Sequence, residues 1–452
     1  MTSIWWIRRD IRLHDNPTLE ASLKTGSCLP VFIIEPKMIE GAPRRKLGFM
    51  FNSLKKLDEE LKKAGSYLVI RKGPAQVALQ QLMSEINIEK IYAEEDFSPY
   101  SRKRDRKISE RLPLELIQGQ LISPPGAILN LKKEPYKIYT PYKNAWLSLL
   151  PNPMPYGQAP KSIQTPPGIS SAQIPDFSEE IHFPAGELEG LKRLNAFIAS
   201  DGAIYKYGKY RDRMDTDGTS QLSPYFHFGL IGQRRALNAA QIAKDSSPNL
   251  SAQESVDIWI SELIWREFYA YILYHYPRVT NASFRVKYDS LKWQNNKEDF
   301  NAWKNGLTGY PIVDAGMRQL KRTGWMHNRA RMITASFLVK HLLIDWRWGE
   351  SWFMENLIDG DVAANNGGWQ WIAGTGTDAA PYFRIFNPEL QGKKFDPNGD
   401  YVRKWIPELA KLHKKAIHSP WNSPQTILDY PAPIVDHKFA RERALTAYSI
   451  FS

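Results

Sequence analysis

The first 130 residues alternate short apolar runs with amphipathic stretches. The runs at Ser3–Ile7, Cys28–Ile34, Tyr67–Ile70 and Lys90–Ala93 read as buried strands, and Arg44–Lys63 and Ala75–Ile86 place apolar residues at helical spacing between them. This βαβα rhythm predicts an α/β fold, a doubly wound parallel sheet with right-handed crossovers. From Leu131 to Glu187 the rhythm breaks. One helix is expected over Thr140–Leu150, and prolines then recur from Pro151 to Pro184. Because this stretch keeps Trp146, Tyr156 and Phe177, it reads as an ordered connector running over a surface. After Leu188 strand signals vanish. Helical periodicity predicts Leu188–Asp201, Gly232–Ala243, Ala252–His275, Gly309–Arg322, Asn328–Ile344 and Trp348–Leu357, an irregular all-α domain. The expected division is 1–130, 131–187 and 188–452.

Composition narrows what such a chain does. At 452 residues it has room for about two or three domains, and no apolar run is long enough to span a bilayer. The opening MTSIWWIRRD has charges directly after a short apolar run and reads as a first strand, not a signal peptide. A single cysteine, Cys28, excludes an internal disulfide framework and fits a reducing cytosol. The nine histidines lack metal-ligand spacing, so no metal is expected. No GxGxxG or GxxxxGK[ST] follows a strand. The net charge of +12 points to a polyanionic partner. Twelve of the fifteen tryptophans lie after residue 250, more than a core of that size needs, which points to an aromatic ligand there.

The densest chemistry lies in Asp359–Pro388, where Asp359, Asp361, Asn365, Asn366, Trp369 and Trp371 share a short span with five glycines. Neither a solvated loop nor an ordinary core helix has that composition. It reads either as the wall of a site for a planar cofactor, with small residues admitting close backbone approach, or as a Gly-rich connection whose tryptophans are core. In Thr216–Gly229, Thr219, Ser220 and Ser223 suit either a phosphate or, the simpler reading, a helix cap. On the predicted Asp257–Tyr271 helix, Trp259, Glu262 and Trp265 share a broad face. Glu262 there either meets a donor or exchanges a proton, or else pairs with Arg266 one turn on. Asn328, Arg331 and Met332 share another face, Met332 being either pocket wall or filler, and Arg331 is expected to form a bidentate bridge with Asp359.

With these residues in view, the chain resembles the photolyase/cryptochrome flavoproteins along essentially its whole length, and most of all the class I cyclobutane pyrimidine dimer photolyases. The resemblance is carried by RRDIRLHDN (Arg8–Asn16), DGTSQLS (Asp217–Ser223), SELIWREFY (Ser261–Tyr269), TGYPIVDAGMRQL (Thr308–Leu320), WMHNRARMI (Trp325–Ile333) and the Asp359–Pro388 stretch. It implies an α/β antenna domain, a connector and a helical FAD- and DNA-binding domain. It implies that FAD meets Tyr207, Thr219, Ser220, Gln221, Leu222, Ser223, Arg266, Arg331, Asp359, Gly360, Asp361 and Asn365, with Asn365 facing the flavin N5. The implied reaction is light-driven electron transfer from reduced FAD to a dimer, ring splitting and return of the electron. The dimer must leave the duplex to reach the flavin, which costs less for a damaged pair than for an intact one. Glu262, Asn328, Met332, Trp259 and Trp265 would receive the dimer, and Arg211, Arg329, Arg384 and Gln391 would grip DNA. Trp369, Trp346 and Trp293 would carry electrons to oxidised flavin.

Met332, where six-four photolyases carry histidine, argues for cyclobutane dimers. The intact Glu262/Trp265 pair argues against the rival reading, a cryptochrome-like blue-light sensor without repair activity. Folate-binding members carry His-Asn and Asn-Glu pairs where this chain has GAPRR (Gly41–Arg45) and SPYSRKRD (Ser98–Asp105), which favours a deazaflavin or flavin antenna. The implied setting is a cytoplasmic monomer acting on UV-damaged DNA, with no obligate protein partner.

Overall fold

The computed structural model describes residues 1–151, 154–177, 179–422 and 429–451. The chain packs as two compact units, Met1–Gly208 with Ser220–Pro277, and Lys209–Thr219 with Arg278–Ser452. Among the described residues no helix is long and apolar enough to cross a membrane, and no group of three or more His, Cys, Asp or Glu is placed to hold a metal.

The first unit contains a parallel sheet of β1 (Thr2–Ile7), β2 (Ser27–Ile34), β3 (Val69–Lys72), β4 (Lys90–Glu94) and β5 (Leu114–Ile117), in the order β3-β2-β1-β4-β5. The inner strands are charge-free in their middles because helices cover both faces; Ile4, Leu29, Val31 and Ile91 are fully buried. The intervening helices include Pro17–Lys24, started by Pro17 and capped by Asn16, and Arg44–Lys63, where the periodicity placed it. β3 begins two residues later than its apolar run. Leu68 N–H is taken by the Asp58 carboxylate (2.9 Å) and Tyr67 donates to the Pro166 carbonyl (2.5 Å), so the ladder opens only at Val69 opposite Val31. β5 escaped the sequence pattern because it is a short edge strand with Glu115 and Leu116 exposed.

The connector helix forms over Tyr139–Ser148, and no helix or strand follows until Glu187 among the described residues. Backbone bonds nevertheless pin this segment: Ile163 N–H to Ala64 (2.8 Å), Cys28 N–H to Gln164 (2.8 Å) and Ala172 N–H to Ile70 (3.0 Å). The same unit contains the Leu250–His275 helix, capped by Asn249. Glu267, fully buried on that helix, accepts from Trp146 Nε1 (2.6 Å), Ser123 N–H (3.4 Å) and Ile122 N–H. One carboxyl thus ties the connector helix and the preceding loop to the long helix.

The second unit is helical. Its core gathers Trp303, Val313, Phe337, Leu338, Trp346, Phe353 and Trp369. Two expectations are corrected here. The helix expected over Asn328–Ile344 is α-helical only to Ser336. It widens into a π turn at Phe337–His341, closed by the Leu342 N–H to Phe337 carbonyl bond (3.1 Å), and ends with Leu343 left-handed (φ 51°). The Asp359–Pro388 stretch does contain a buried helix, Val362–Ala373, opened by the Asp361 cap on Ala364 N–H (3.0 Å) and closed by Gly374 at φ 80°. Its amide NH2 groups donate to neighbouring carbonyls and to the Glu350 carboxyl, which is how a core helix tolerates them.

Candidate functional site

In the first unit the Leu250–His275 helix carries four of the expected residues, Trp259, Glu262, Trp265 and Arg266. Trp259 is buried, packs against Phe197 (5.3 Å between centroids) and points Nε1 at Ser220 Oγ (3.4 Å). Trp265 lies flat on Tyr139, centroids 3.6 Å apart and 6° between planes. Glu262, between them, is half-buried. Arg266 donates to the carbonyl of Phe226 (3.2 Å), on the short helix opened by Ser223. Gln221 is held left-handed (φ 49°), a conformation that costs a non-glycine residue about 1–3 kcal/mol and recurs at ligand sites. Leu222 and Tyr207 are buried, Tyr207 edge-on to Phe197.

In the second unit the helices Asn328–Ser336 and Trp346–Met354 both pack on Val362–Ala373. Arg331 Nη2 meets Asp359 Oδ2 at 2.7 Å, but Nε turns to the Met326 carbonyl (2.8 Å), so the bridge is monodentate, not the bidentate pair expected. Asp359 is buried, and its Oδ1 has no hydrogen-bond partner among the described residues. An ionised oxygen in that position is costly unless a ligand brings it a donor. Asn328 is exposed, with Nδ2 3.8 Å from Met332 Sδ.

Asn365 and Trp369 are one turn apart on the same helix and share a face. Asn365 Nδ2 donates to the Glu350 carbonyl (3.0 Å), which leaves Oδ1 to receive a donor. Gly368 beside them has open space where a Cβ would stand. The adjacent face carries Asn366 and Gln370, neither of them among the expected site residues. There Asn366 donates to Glu350 Oε1 (3.0 Å) and to the Val279 carbonyl (2.9 Å), and Gln370 accepts from Phe284 N–H (2.7 Å). Burial pushes the Glu350 carboxyl up to about 7. Its only sequence signal was a lone carboxylate among the aromatics of WRWGESWFM.

The three electron-carrying candidates run from inside to outside: Trp369 and Trp346 are buried, and Trp293 is half-exposed against the same core. Trp369 also meets Phe353 (4.9 Å) and Trp303 (6.1 Å) edge-on. Gly349 makes room for it: a Cβ there would lie 2.1 Å from Trp369 Cη2. Gly349→Ala is therefore expected to lower stability by about 1–3 kcal/mol, read by thermal unfolding, because the indole must shift within a full core.

Of the cationic candidates, Arg329 pairs with Asp212 (2.7 Å) and covers Phe395, and Arg211 lies 3.9 Å from the same carboxylate. Arg384 is exposed and makes no ion pair among the described residues; Gln391 is half-buried. At the carboxyl ends of the sheet, Arg8 and Arg104 flank the Trp6 ring at 4.9 and 4.8 Å, held by Asp105 (2.7 Å) and Glu35 (3.3 Å). Glu94 beside them is pushed up to about 8 by burial and by Asp10.

Two family models match the chain: DNA photolyase over residues 3–161, and the FAD binding domain of DNA photolyase over residues 259–450. The chain is 41% identical to the deoxyribodipyrimidine photo-lyase of Escherichia coli (strain K12), across 99% of this chain and 98% of that protein. The crystal structure of a bacterial class III photolyase from Agrobacterium tumefaciens matches with TM-score 0.92 and 38% identity, covering 100% of this chain and 98% of that one. An archaeal photolyase from Sulfolobus tokodaii, solved with two FAD molecules, matches with TM-score 0.86 and 33% identity over 100% of both chains. The chain belongs to the DNA photolyase family, within the photolyase/cryptochrome flavoproteins that its motifs resemble. Its α/β sheet and helical remainder are the architecture that resemblance implied.

Proposed function

We propose that this chain is a light-dependent DNA-repair lyase that acts on cyclobutane pyrimidine dimers turned out of the helix. The observation that carries the reading is Asp359, buried, tied to Arg331 through one oxygen and left with the other unpartnered among the described residues. That fits FAD, whose isoalloxazine brings an imide N–H. The residues to hold it are Tyr207, Thr219, Ser220, Gln221, Leu222, Ser223, Arg266, Arg331, Asp359, Gly360, Asp361 and Asn365. When bound, reduced FAD supplies the light-driven electron that opens the cyclobutane ring and recovers it afterwards. Arg331 places positive charge where added electrons need it. Asn365, its Nδ2 anchored on Glu350, offers Oδ1 as an acceptor. Glu262 offers the dimer a hydrogen bond, Asn328 and Met332 line its cavity, and Trp259 and Trp265 flank its bases. Arg211, Arg329, Arg384 and Gln391 contact DNA.

Residues 1–130 form the antenna domain in this reading, 131–187 the connector and 188–452 the catalytic domain. A planar anionic deazaflavin or flavin suits the strand ends better than folate, given Trp6 and Tyr100 with Arg8, Arg104 and Lys37 around them. The protein works as a cytosolic monomer in a reducing compartment, consistent with the lone, buried Cys28. The deciding measurement is turnover of a thymine-dimer oligonucleotide by reduced holoprotein in blue light and in darkness. Repair is expected only in light; no repair by fully reduced protein sinks the proposal. Glu262→Ala is expected to slow repair about 10-fold to 100-fold, the worth of one charged hydrogen bond, with FAD absorbance unchanged.

A further inference from the structure

Between β5 and the connector helix, the chain forms a projecting loop, Leu129–Ile138, whose composition is unlike a surface turn. Leu131 at its tip is fully exposed, and Leu129 and Ile138 are exposed too. Beside the leucine stand Lys132 and Lys133, exposed and without an ion pair among the described residues. An exposed leucine on a floppy tip would mean little, but this tip is rigid. The Asn130 carboxamide oxygen accepts from Lys132 N–H (2.8 Å) and Glu134 N–H (3.0 Å). Asn130 N–H donates to the Glu134 carbonyl (2.9 Å), Lys133 N–H donates to the Asn130 carbonyl (2.8 Å), and Lys133 is held left-handed at φ 61°.

The feet of the loop are stapled by one hydroxyl. Tyr271 Oη, fully buried on the Leu250–His275 helix, donates to the Ile128 carbonyl and accepts from Tyr136 N–H, both at 2.8 Å. Burial pushes this phenol up to about 12, so it keeps its proton at any working pH. The chain leaving the loop is then fastened to the segment of that helix that carries Glu262. Tyr139 Oη donates to the Ser261 carbonyl (2.8 Å), Lys143 Nζ to Ser261 Oγ (2.7 Å), and the Tyr139 ring lies on Trp265. A preformed, cationic loop with an apolar tip is therefore fastened to the helix that carries Trp259, Glu262 and Trp265.

We infer that this loop is a contact for the duplex flanking the lesion. Lys132 and Lys133 meet backbone phosphates, and Leu131 packs on the sugar edge exposed in the groove between them. The inference rests on the repair reading above and extends its DNA contacts to residues that the cationic candidates Arg211, Arg329, Arg384 and Gln391 do not include. Ordering entropy favours it: a loop already fixed loses little freedom on binding. Phosphate contacts release counterions, so each one adds about 0.9 to the slope of log affinity against log salt.

The test uses FAD-loaded full chain and a fluorescein-labelled oligonucleotide with one thymine dimer, duplex or single-stranded, titrated across a salt series. Lys132→Ala/Lys133→Ala is expected to lower the duplex salt slope by about 1–2 and to weaken duplex binding several-fold. Leu131→Ser is expected to weaken duplex binding at an unchanged slope, with single-strand binding, flavin absorbance and light-driven repair of the single strand intact. An unchanged affinity and slope in the double-lysine variant overturns the inference. If the wild type fails to prefer dimer over undamaged DNA, the repair reading is what fails, and the slope comparison still decides the loop.

Discussion

Trp369→Phe is expected to leave the bound flavin oxidised in blue light with an external reductant present, while repair by chemically reduced protein proceeds at the wild-type rate. Trp369 shares a helix face with Asn365, the residue proposed above to meet the flavin, and is buried against Phe353 and Trp303. Phe preserves most of those edge contacts, and the volume lost is small enough for the core to absorb at about 1–2 kcal/mol. What Phe does not preserve is an easily oxidised indole. Flavin absorbance during illumination reads the first effect, and dimer turnover after dithionite reduction reads the second. Equal loss of both would refute the electron-carrying assignment of Trp369.

Glu267→Gln is expected to lower stability with a distinct pH signature. The wild-type carboxyl receives three donors, Trp146 Nε1, Ile122 N–H and Ser123 N–H, in a fully buried position. A carboxamide has one accepting oxygen, so its NH2 faces a donor, at a cost of about 2–3 kcal/mol. Burial outweighs those donors and lifts the carboxyl from 4.5 to about 7. The folded state therefore holds this proton where the unfolded state has lost it. The contribution is fully present below the unfolded value and is lost as pH rises toward 7, about 3 kcal/mol in all. The gap between wild type and Glu267→Gln in thermal unfolding should thus be wide near pH 5 and narrow near pH 8. A gap constant with pH would mean that Glu267 is ionised throughout, contrary to its burial.

Recognition of the candidate residues from sequence depended on long motifs, not on single positions. The face shared by Asn328, Arg331 and Met332 and that shared by Trp259, Glu262 and Trp265 followed from helical periodicity, and both lie on helices. The Arg331–Asp359 pair was legible as a pair but not in its geometry, because the Met326 carbonyl that takes Arg331 Nε sits in a turn that periodicity does not describe. Glu350 was missed for a related reason. Its backbone carbonyl, not its side chain, holds Asn365, and backbone groups carry no sequence signature. The Leu129–Ile138 loop read only as the start of a connector.

Local chemistry and periodicity by themselves determined the strand–helix alternation of the first 130 residues, the Arg44–Lys63 helix and the helical character after Leu188, since burial on both faces demands charge-free strands and a buried stripe demands 3.6-residue spacing. The chain's own motifs also determined its family. Tertiary structure alone decided which polar groups are satisfied and which are left over: one oxygen of Asp359 without a partner among the described residues, three donors on Glu267, a glycine at 349 where an indole needs its space. Such outcomes depend on distances between atoms far apart in sequence. The free energy of a buried polar atom is set by whatever the fold brings within about 3 Å of it, not by its neighbours along the chain.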